Sequence, residues 1–534
     1  MGAEMKAEMI GQAARTDMQL AVPVLPVLRR GVRLRPVGNA VLLDGADRMQ
    51  SFSGAFAREG LVPLAEACDG TRDHATLARH LGIDEAAVYK CLALLWTAGA
   101  VEEAMAGDEP PVAPELACFL SRLGNSTGTN PSWADAAARL ARRPVRLEGD
   151  PALVAAAQRA LGGTCTVVTR ATAEDELTVF FETVSSAASL SSTEERCRLD
   201  GRPLLRVRAD AKTVVIGPYT DPAITPCLEC GCHGEAGLSG EPPRHVHDLV
   251  AGLASHHVTA LVARATTTHL PIDASVVELA TLGTTYRPAT TRPGCPRCSA
   301  AQGPVAPQAP AGAVYEAAVA LPVREFLNPK DHQAHYYTSN IRLQTQFKDW
   351  PSRPHTALPV PDLSLLRHEP CQDSTPLTLD GLSLVLKIAF GLKDSETTAE
   401  RVKRWTAAGG NIGCTTAHVV LRDASLLPPG VYAYADQDHT LVALSTAVPE
   451  GDAPCEIVIT GDLKKIMRKY GTFGFRLTFL DAGCALSSAR EVARHLGLGF
   501  APRSDWDDDA FARVLNASPA EEPVVAVATL GGTA

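Results

Sequence analysis

Hydrophobic and polar positions along this chain change their period several times, and each change marks an element. From Val32 to Leu43 apolar and polar residues alternate about a Gly38-Asn39 pair. That period of two, broken by such a pair, predicts two strands joined by a tight turn. Between Asp84 and Val101 the period lengthens, with Val88, Cys91, Leu92, Leu94 and Leu95 at helical spacing, so a helix is expected there. Strands followed by short helices suit a winged-helix-like module, and other small α/β domains share that pattern. Further on, Val145 to Leu147 reads as a short strand and Gly149-Asp150 as a turn. Ala152 to Leu161 reads as a helix opened by Pro151, and Cys165 to Thr169 as the next strand. This β-α-β unit is how a Rossmann-like sheet begins. Its turn carries no G-x-G-x-x-G, so no nucleotide phosphate cradle is expected.

Gly303 to Gly312 (GPVAPQAPAG) reads as a linker, and everything after it as one α+β domain. The expected division is a flexible tail over 1–20, a module over 21–105, a second domain over 106–302, a linker over 303–318 and a last domain over 319–534. That agrees with the roughly three domains expected of 534 residues. No internal repeat of fixed period is found.

Composition narrows the function. Hydrophobic residues are 46% and charged residues 21% of the chain, which excludes wholesale disorder. No apolar run is long enough to span a membrane; Leu249 to Ala263 is short and carries His256 and His257. The formal charge of −10, with no broad basic stripe, argues against nucleic acid as a partner. The first 15 residues do not read as an export signal, so a cytoplasmic location is expected. There the 14 cysteines should be thiols or metal ligands.

Four of those cysteines form two C-x-x-C knuckles, Cys227/Cys230 and Cys295/Cys298, each beside turn residues. Paired knuckles supply the closed tetrahedral shell of a structural zinc. A single knuckle is also compatible with a redox pair, and Cys232 or His233 could replace a ligand. The remaining cysteines read as small buried hydrophobes, except Cys414 in a glycine-rich loop.

Two halves of the chain resemble known families. Residues 21–300 resemble the ThiF-like partner proteins of azoline-forming peptide modification. The matching segments are the opening strands, Asp69-Gly70-Thr71, Val215-Ile216-Gly217-Pro218, Pro226-Cys227-Leu228-Glu229-Cys230, and the second pair Cys295 and Cys298. The resemblance implies a winged-helix-like module that captures the leader of a ribosomal precursor peptide. It also implies a degenerate Rossmann-like ThiF domain that holds zinc and has lost adenylation. The basic run Arg29, Arg30, Arg33 and Arg35 suits an acidic leader adding a strand to a sheet edge, or an edge kept charged against aggregation.

Residues from about 320 onward resemble SagB/McbC-type FMN-dependent azoline dehydrogenases of the nitroreductase fold. The carriers are Ala407-Ala408-Gly409-Gly410-Asn411-Ile412-Gly413, Leu427-Pro428-Pro429-Gly430-Val431-Tyr432, and Arg468-Lys469-Tyr470-Gly471. Phe475-Arg476, Asp481-Ala482-Gly483, Leu496-Gly497-Leu498-Gly499 and Asp507 to Asp509 complete the set. Where that family has Arg-Arg-Ser-x-Arg this chain reads Arg367 to Asp373, keeping only Arg367; Ala408 replaces a serine.

The resemblance implies a multidomain α/β and α+β protein that oxidises peptide thiazolines or oxazolines to thiazoles or oxazoles. Lys469 would take the Cα proton and Tyr470 would relay it or donate a hydrogen bond. A surface lysine-tyrosine pair is the plainer reading of those two residues. FMN would be held by Arg367, Gly409, Gly410 and Asn411. Arg404 and Arg503 are further phosphate candidates by their chemistry, and His332, His335 and His418 could line a substrate groove. A homodimer through the last domain is implied. With no ATP-binding motif, an ATP-dependent cyclodehydratase would be a separate partner. Two alternatives are a leader-binding scaffold with a flavin-free last domain, and a flavin oxidoreductase acting on another peptide or amino-acid group.

Overall fold

A computed structural model describes residues 4–46, 49–105, 107–123, 129–168, 177–265, 273–321, 326, 337–398 and 402–531. The chain divides into two compact units, Ala7–Gln333, and Ala334–Ala534 together with Met1–Lys6.

The first unit contains an antiparallel meander of Arg33–Val37, Ala40–Asp44 and Gln50–Ser53. Val37 pairs with Ala40, leaving Gly38 and Asn39 as a two-residue turn with Gly38 at φ +59°. Arg33 and Arg35 are exposed on the edge strand. Arg29 is not available to a partner. It is buried, and its guanidinium donates to the carbonyls of Val101 and Arg122 at 3.3 Å. The expected helix is Glu85–Thr97, capped by Asp84, with Val88, Leu92 and Leu95 wholly buried. It ends early because the chain must turn back for Val101–Glu103 to pair with Pro26–Leu28.

The first 20 residues contain a docked helix. Ala7–Ala13 lies against Glu85–Thr97 with Ile10 fully buried. Gly11 permits the approach, since a Cβ there would stand 2.7 Å from Lys90 Cγ. Lys90 also pairs with Glu8 at 2.6 Å. The charged residues that make this segment look like a tail lie beside a short apolar face of Ile10 and Ala13.

The second sheet runs Thr284–Arg287, Ala274–Glu278, Thr213–Thr220, Leu204–Ala209, Leu177–Glu182, Val145–Gly149 and Val167–Val168. Val145–Gly149 is parallel to both neighbours, with helix Pro151–Leu161 as crossover. A second parallel unit joins Leu177–Glu182 through helix Leu190–Leu199 to Leu204–Ala209. Its pattern is hard to read because Glu182, Arg206 and Arg208 are buried inside it. They pair with one another and with Glu235 and Asp210 at 2.6–3.4 Å, which leaves only the Nε of Arg208 without a partner among their described polar atoms. At the first crossover, Asp150 accepts from the amides of Ala152 and Leu153 at 3.0 Å. The helix start that would face a phosphate is thus occupied by the chain's own carboxylate.

Residues 303–318 do not form a plain linker: Ala311–Ala318 is helical. The last unit is an antiparallel sheet ordered His355–Ala357, Thr440–Ser445, Gly430–Ala435, Thr415–Leu421, Cys455–Gly461, Val524–Leu530 and Phe500–Pro502. Helices Leu379–Phe390 and Phe473–His495 cover one face; Ala482, Ala485, Ala489 and Ala493 keep the longer one close. Phe511 and Leu515 of Asp508–Leu515 cover the other, against Val420, Val431 and Val458. Among the described residues no helix is long and apolar enough to cross a membrane.

Ile10→Ala should lower the stability of the first unit by about 2–5 kcal/mol. The check is the denaturant midpoint of that unit's transition, which an undocked tail would leave unchanged.

Candidate functional site

The glycine-rich loop sits at the centre of the last unit. Gly409–Asn411 forms a single 3-10 turn in which Gly410 (φ +59°) and Asn411 (φ +57°) are left-handed. Two contacts to one carboxylate fix the loop. Asp481, buried in helix Phe473–His495, accepts from the Gly409 amide at 2.8 Å and from Cys414 Sγ at 3.1 Å. Asn411 Nδ2 donates to the Val402 carbonyl at 2.6 Å, and Gln344 Nε2 donates to the Gly410 carbonyl at 3.1 Å. Burial raises the Asp481 carboxyl and, with Asp481 beside it, the Cys414 thiol.

Lys469 and Tyr470 meet this loop. They end helix Leu463–Tyr470, which Asp462 caps and Gly471 stops at φ +54°. That stop lets adjacent side chains reach one place. A Cβ on Gly410 would collide with Lys469 Nζ and stand 2.7 Å from Tyr470 Oη. Lys469 Nζ lies 4.8 Å from the centroid of the Tyr470 ring. Burial lowers the Lys469 ammonium to about 8 and raises the Tyr470 hydroxyl to about 12.

The same loop borders a cavity of about 740 Å³ at Gly413 and Cys414. Phe347, Trp350, Phe390 and Tyr434 give it aromatic walls, while Arg404 and Lys465 bring positive charge. Gly410, Asn411, Lys469 and Tyr470 are not among its lining residues. Arg404 donates to Asp436 at 2.8 Å, and its Nε is buried without a partner. A Cβ on Gly413 would strike that guanidinium. Lys465 Nζ donates to the Gly413 carbonyl at 3.1 Å, and burial, then Arg404, lowers it to about 8. The walls suit a flat aromatic ligand, and the lining carries both signs of charge, since Asp436, Asp462, Glu521 and Glu522 line it as well.

Two other phosphate candidates are elsewhere. Arg367 is exposed at the end of the turn Leu363–Arg367 and does not line the cavity. Arg503 is bound to Glu456 at 3.0 Å, because that buried carboxylate draws both Arg503 and Arg422. His418 is structural: it is wholly buried against Thr460 at 3.1 Å, and desolvation pushes it down to about 3. His332 and His335 lie outside the described residues. Sequence reasoning missed Lys465 and Asp436, whose only signal was proximity to motif residues, and it noted Asp481 without giving it a role.

In the first unit the four knuckle cysteines converge. Their sulfurs all lie within 4.8 Å of one another, with Cys227 Sγ 3.8 Å from Cys295 Sγ and 3.7 Å from Cys298 Sγ. Tetrahedral ligation at about 2.3 Å per sulfur requires edges of about 3.8 Å. Burial raises the Cys227 and Cys230 thiols, while against its own burial Cys295 is drawn down to about 7 by hydrogen bonds from the Arg297 and Cys298 amides. Gly294 makes the second knuckle's turn at φ +80°, where a Cβ would strike the Pro304 carbonyl. Arg297 anchors that knuckle to Glu194 at 2.7 Å. Among the described residues these four sulfurs are the candidate metal ligands.

Residues 373–532 match the model of the Nitroreductase family, so the last unit carries a nitroreductase-family domain, of a family that typically binds flavin. Among curated proteins no match is found. Solved structures similar to the chain include a heterocyclase in complex with substrate and cofactor, at 18% identity and TM-score 0.41, matched over 52% of this chain and 39% of that one. Another is MccB of E. coli, at 13% identity and TM-score 0.42, over 52% of this chain and 97% of that one. A third is a putative nitroreductase from Ralstonia eutropha, at 21% identity and TM-score 0.29, over 35% and 94%. The chain spans less than half the length of the heterocyclase structures it resembles.

Elemental analysis should find one tightly held metal ion per chain, and Cys227→Ser should lower both metal content and soluble yield. A full metal complement with normal folding in that variant would remove the assignment. The lowered Lys469 gives a second expectation. Between about pH 8 and 10 the unfolded chain holds a proton on this residue that the folded chain has released, so its contribution to stability rises with pH. Relative to Lys469→Met, the wild type should therefore gain stability across that window in pH-dependent denaturation.

Proposed function

We propose that the chain is an FMN-dependent oxidoreductase that converts thiazolines or oxazolines of a ribosomally made peptide to thiazoles or oxazoles. The observation that carries the reading is the convergence of Lys469 and Tyr470 on Gly410, inside a nitroreductase-family domain. FMN fits the residues present: the buried, unpartnered Nε of Arg404 asks for an acceptor, and the cavity walls are aromatic. Arg404, Lys465 and the Gly409–Cys414 loop would hold it, and when bound it supplies a hydride acceptor. Lys469 Nζ, partly neutral near pH 8, takes the proton from the ring carbon. Tyr470 Oη orients or relays it. Phe475 and Phe479, edge to face at 5.0 Å beside exposed Leu480, support pairing of two copies through this domain.

A metal ion at these four sulfurs would be structural zinc, since four sulfurs leave no open position. Residues 21–105 are read as the leader-binding module, with Arg33 and Arg35 on the free sheet edge. Asp150 at the helix start supports assigning ATP-dependent ring formation to a separate cyclodehydratase. The exposed Arg367 and the engaged Arg503 favour one alternative, a scaffold without flavin. A colourless purified protein would select it.

Lys469→Ala should slow azole formation by about 10²–10⁴-fold while FMN stays bound, and Tyr470→Phe should do less. Unchanged turnover in the Lys469→Ala protein would require another base. Deleting residues 21–105 should abolish leader binding in fluorescence polarisation and leave the flavin spectrum intact; undiminished binding would exclude the module.

A further inference from the structure

Glu235 belongs to an exposed loop and buries its side chain under it. Residues 233–241 follow the first cysteine knuckle and are mostly exposed, yet the Glu235 side chain is only 8% exposed. Three guanidiniums hold it. Arg206 donates to its two oxygens at 2.9 and 2.7 Å, Arg208 donates at 3.1 Å, and Arg287 donates as well. Glu182 and Arg208 stand at the carboxyl ends of the parallel strands Leu177–Glu182 and Leu204–Ala209, where open α/β sheets receive ligands.

The arginines form more of a site than Glu235 uses. Arg208 is 6% exposed and its Nε has no partner, and the buried Nε of Arg287 has none either. The charges leave room for one anion. Against the three arginines stand Glu182, 2.6 Å from Arg206, and Asp210, 3.4 Å from Arg208. One further carboxylate balances the set, and a phosphate dianion would overfill it.

The loop has few other anchors. Among the described residues, 236–242 make no backbone-to-backbone hydrogen bond. Ser239 Oγ donates to Asp210 at 2.9 Å, and Glu241 accepts from the Ser185 amide at 2.8 Å. Gly237 has no positive φ and nothing within 4 Å of a Cβ. Its glycine serves neither a turn nor a close approach here and leaves the backbone free to bend.

We infer that Arg206, Arg208 and Arg287 form a carboxylate-binding site which Glu235 fills in cis, and that a carboxylate of a peptide takes its place when the loop lifts. The inference rests on the proposed function for the peptide, whose acidic side chains or free C-terminus supply the group. The arginine site is independent of that reading.

In the full-length protein, Glu235→Ala removes atoms equivalent to one acetate. It should lower the melting temperature of the first unit by about 5–10 °C. Acetate should restore most of that loss with saturation, phosphate should not, and adding Arg208→Met should abolish the response. A folded Glu235→Ala protein that acetate does not stabilise would overturn the inference. The wild type gives a second measurement, amide exchange of residues 233–241 with peptide at about 10 mM, above the millimolar effective concentration of a tethered group. Exchange should quicken with a C-terminally amidated peptide containing glutamate, or with a glutamine peptide whose C-terminus is free, and not with the amidated glutamine peptide. The first result assigns the carboxylate to a side chain and the second to the C-terminus. Equal exchange with all three would overturn the inference, also where Glu235→Ala fails to fold. Acetate rescue in a protein that oxidises no azoline would remove the proposed function and leave the site standing.

Discussion

One buried carboxylate sets the geometry of the last unit. Asp481 holds the Gly409 amide and the Cys414 thiol at once, and so closes the loop between them from both ends. Everything chemical in the unit is referred to that loop. Its Gly410 backbone offers the room into which Lys469 and Tyr470 reach, its Gly413 makes space for Arg404, and its last residues border the cavity. Removing one partner from a buried pair leaves the other unsatisfied at a cost of about 1–3 kcal/mol. A side chain at Gly410 or Gly413 would be strained by the positive φ and would displace Lys469 and Tyr470 or Arg404.

The first unit is governed by a different constraint, the treatment of charge under a sheet. At the strand ends where a related fold would receive a phosphate, Asp150 satisfies the helix amides, and Arg206, Arg208, Glu182 and Glu235 neutralise one another. Buried networks of this kind hold only while every member is paired. The cysteine quartet adds a second clamp. It joins two segments more than sixty residues apart, with Arg297 tying the second knuckle to Glu194.

Much of this was legible in the residues. The meander around Gly38-Asn39, the helix after Asp84 and the first β-α-β unit each followed from a local period. The cysteine quartet followed from spacing. Gly410, Lys469 and Tyr470 were assigned to one flavin site only by resemblance. What escaped has a common cause, partners distant in sequence. Arg503 looks like a free guanidinium until Glu456 is placed beside it, and Arg29 like part of a basic edge until the Val101 and Arg122 carbonyls surround it. Ile10 looks like one apolar residue in a charged tail until Gly11 lets it dock. The second parallel unit was hidden because its charges are buried, which reverses the pattern that usually marks a surface.

The central claim is that a peptide azoline gives up two hydrogens to a flavin held in the last unit. It is tested most directly without oxygen, with the full-length protein, bound FMN and a leader-bearing peptide containing a single thiazoline. The account predicts that the oxidised-flavin absorbance bleaches in proportion to added peptide while mass spectrometry shows the loss of two hydrogens from the ring. A flavin spectrum that stays oxidised, with the peptide mass unchanged, would contradict it.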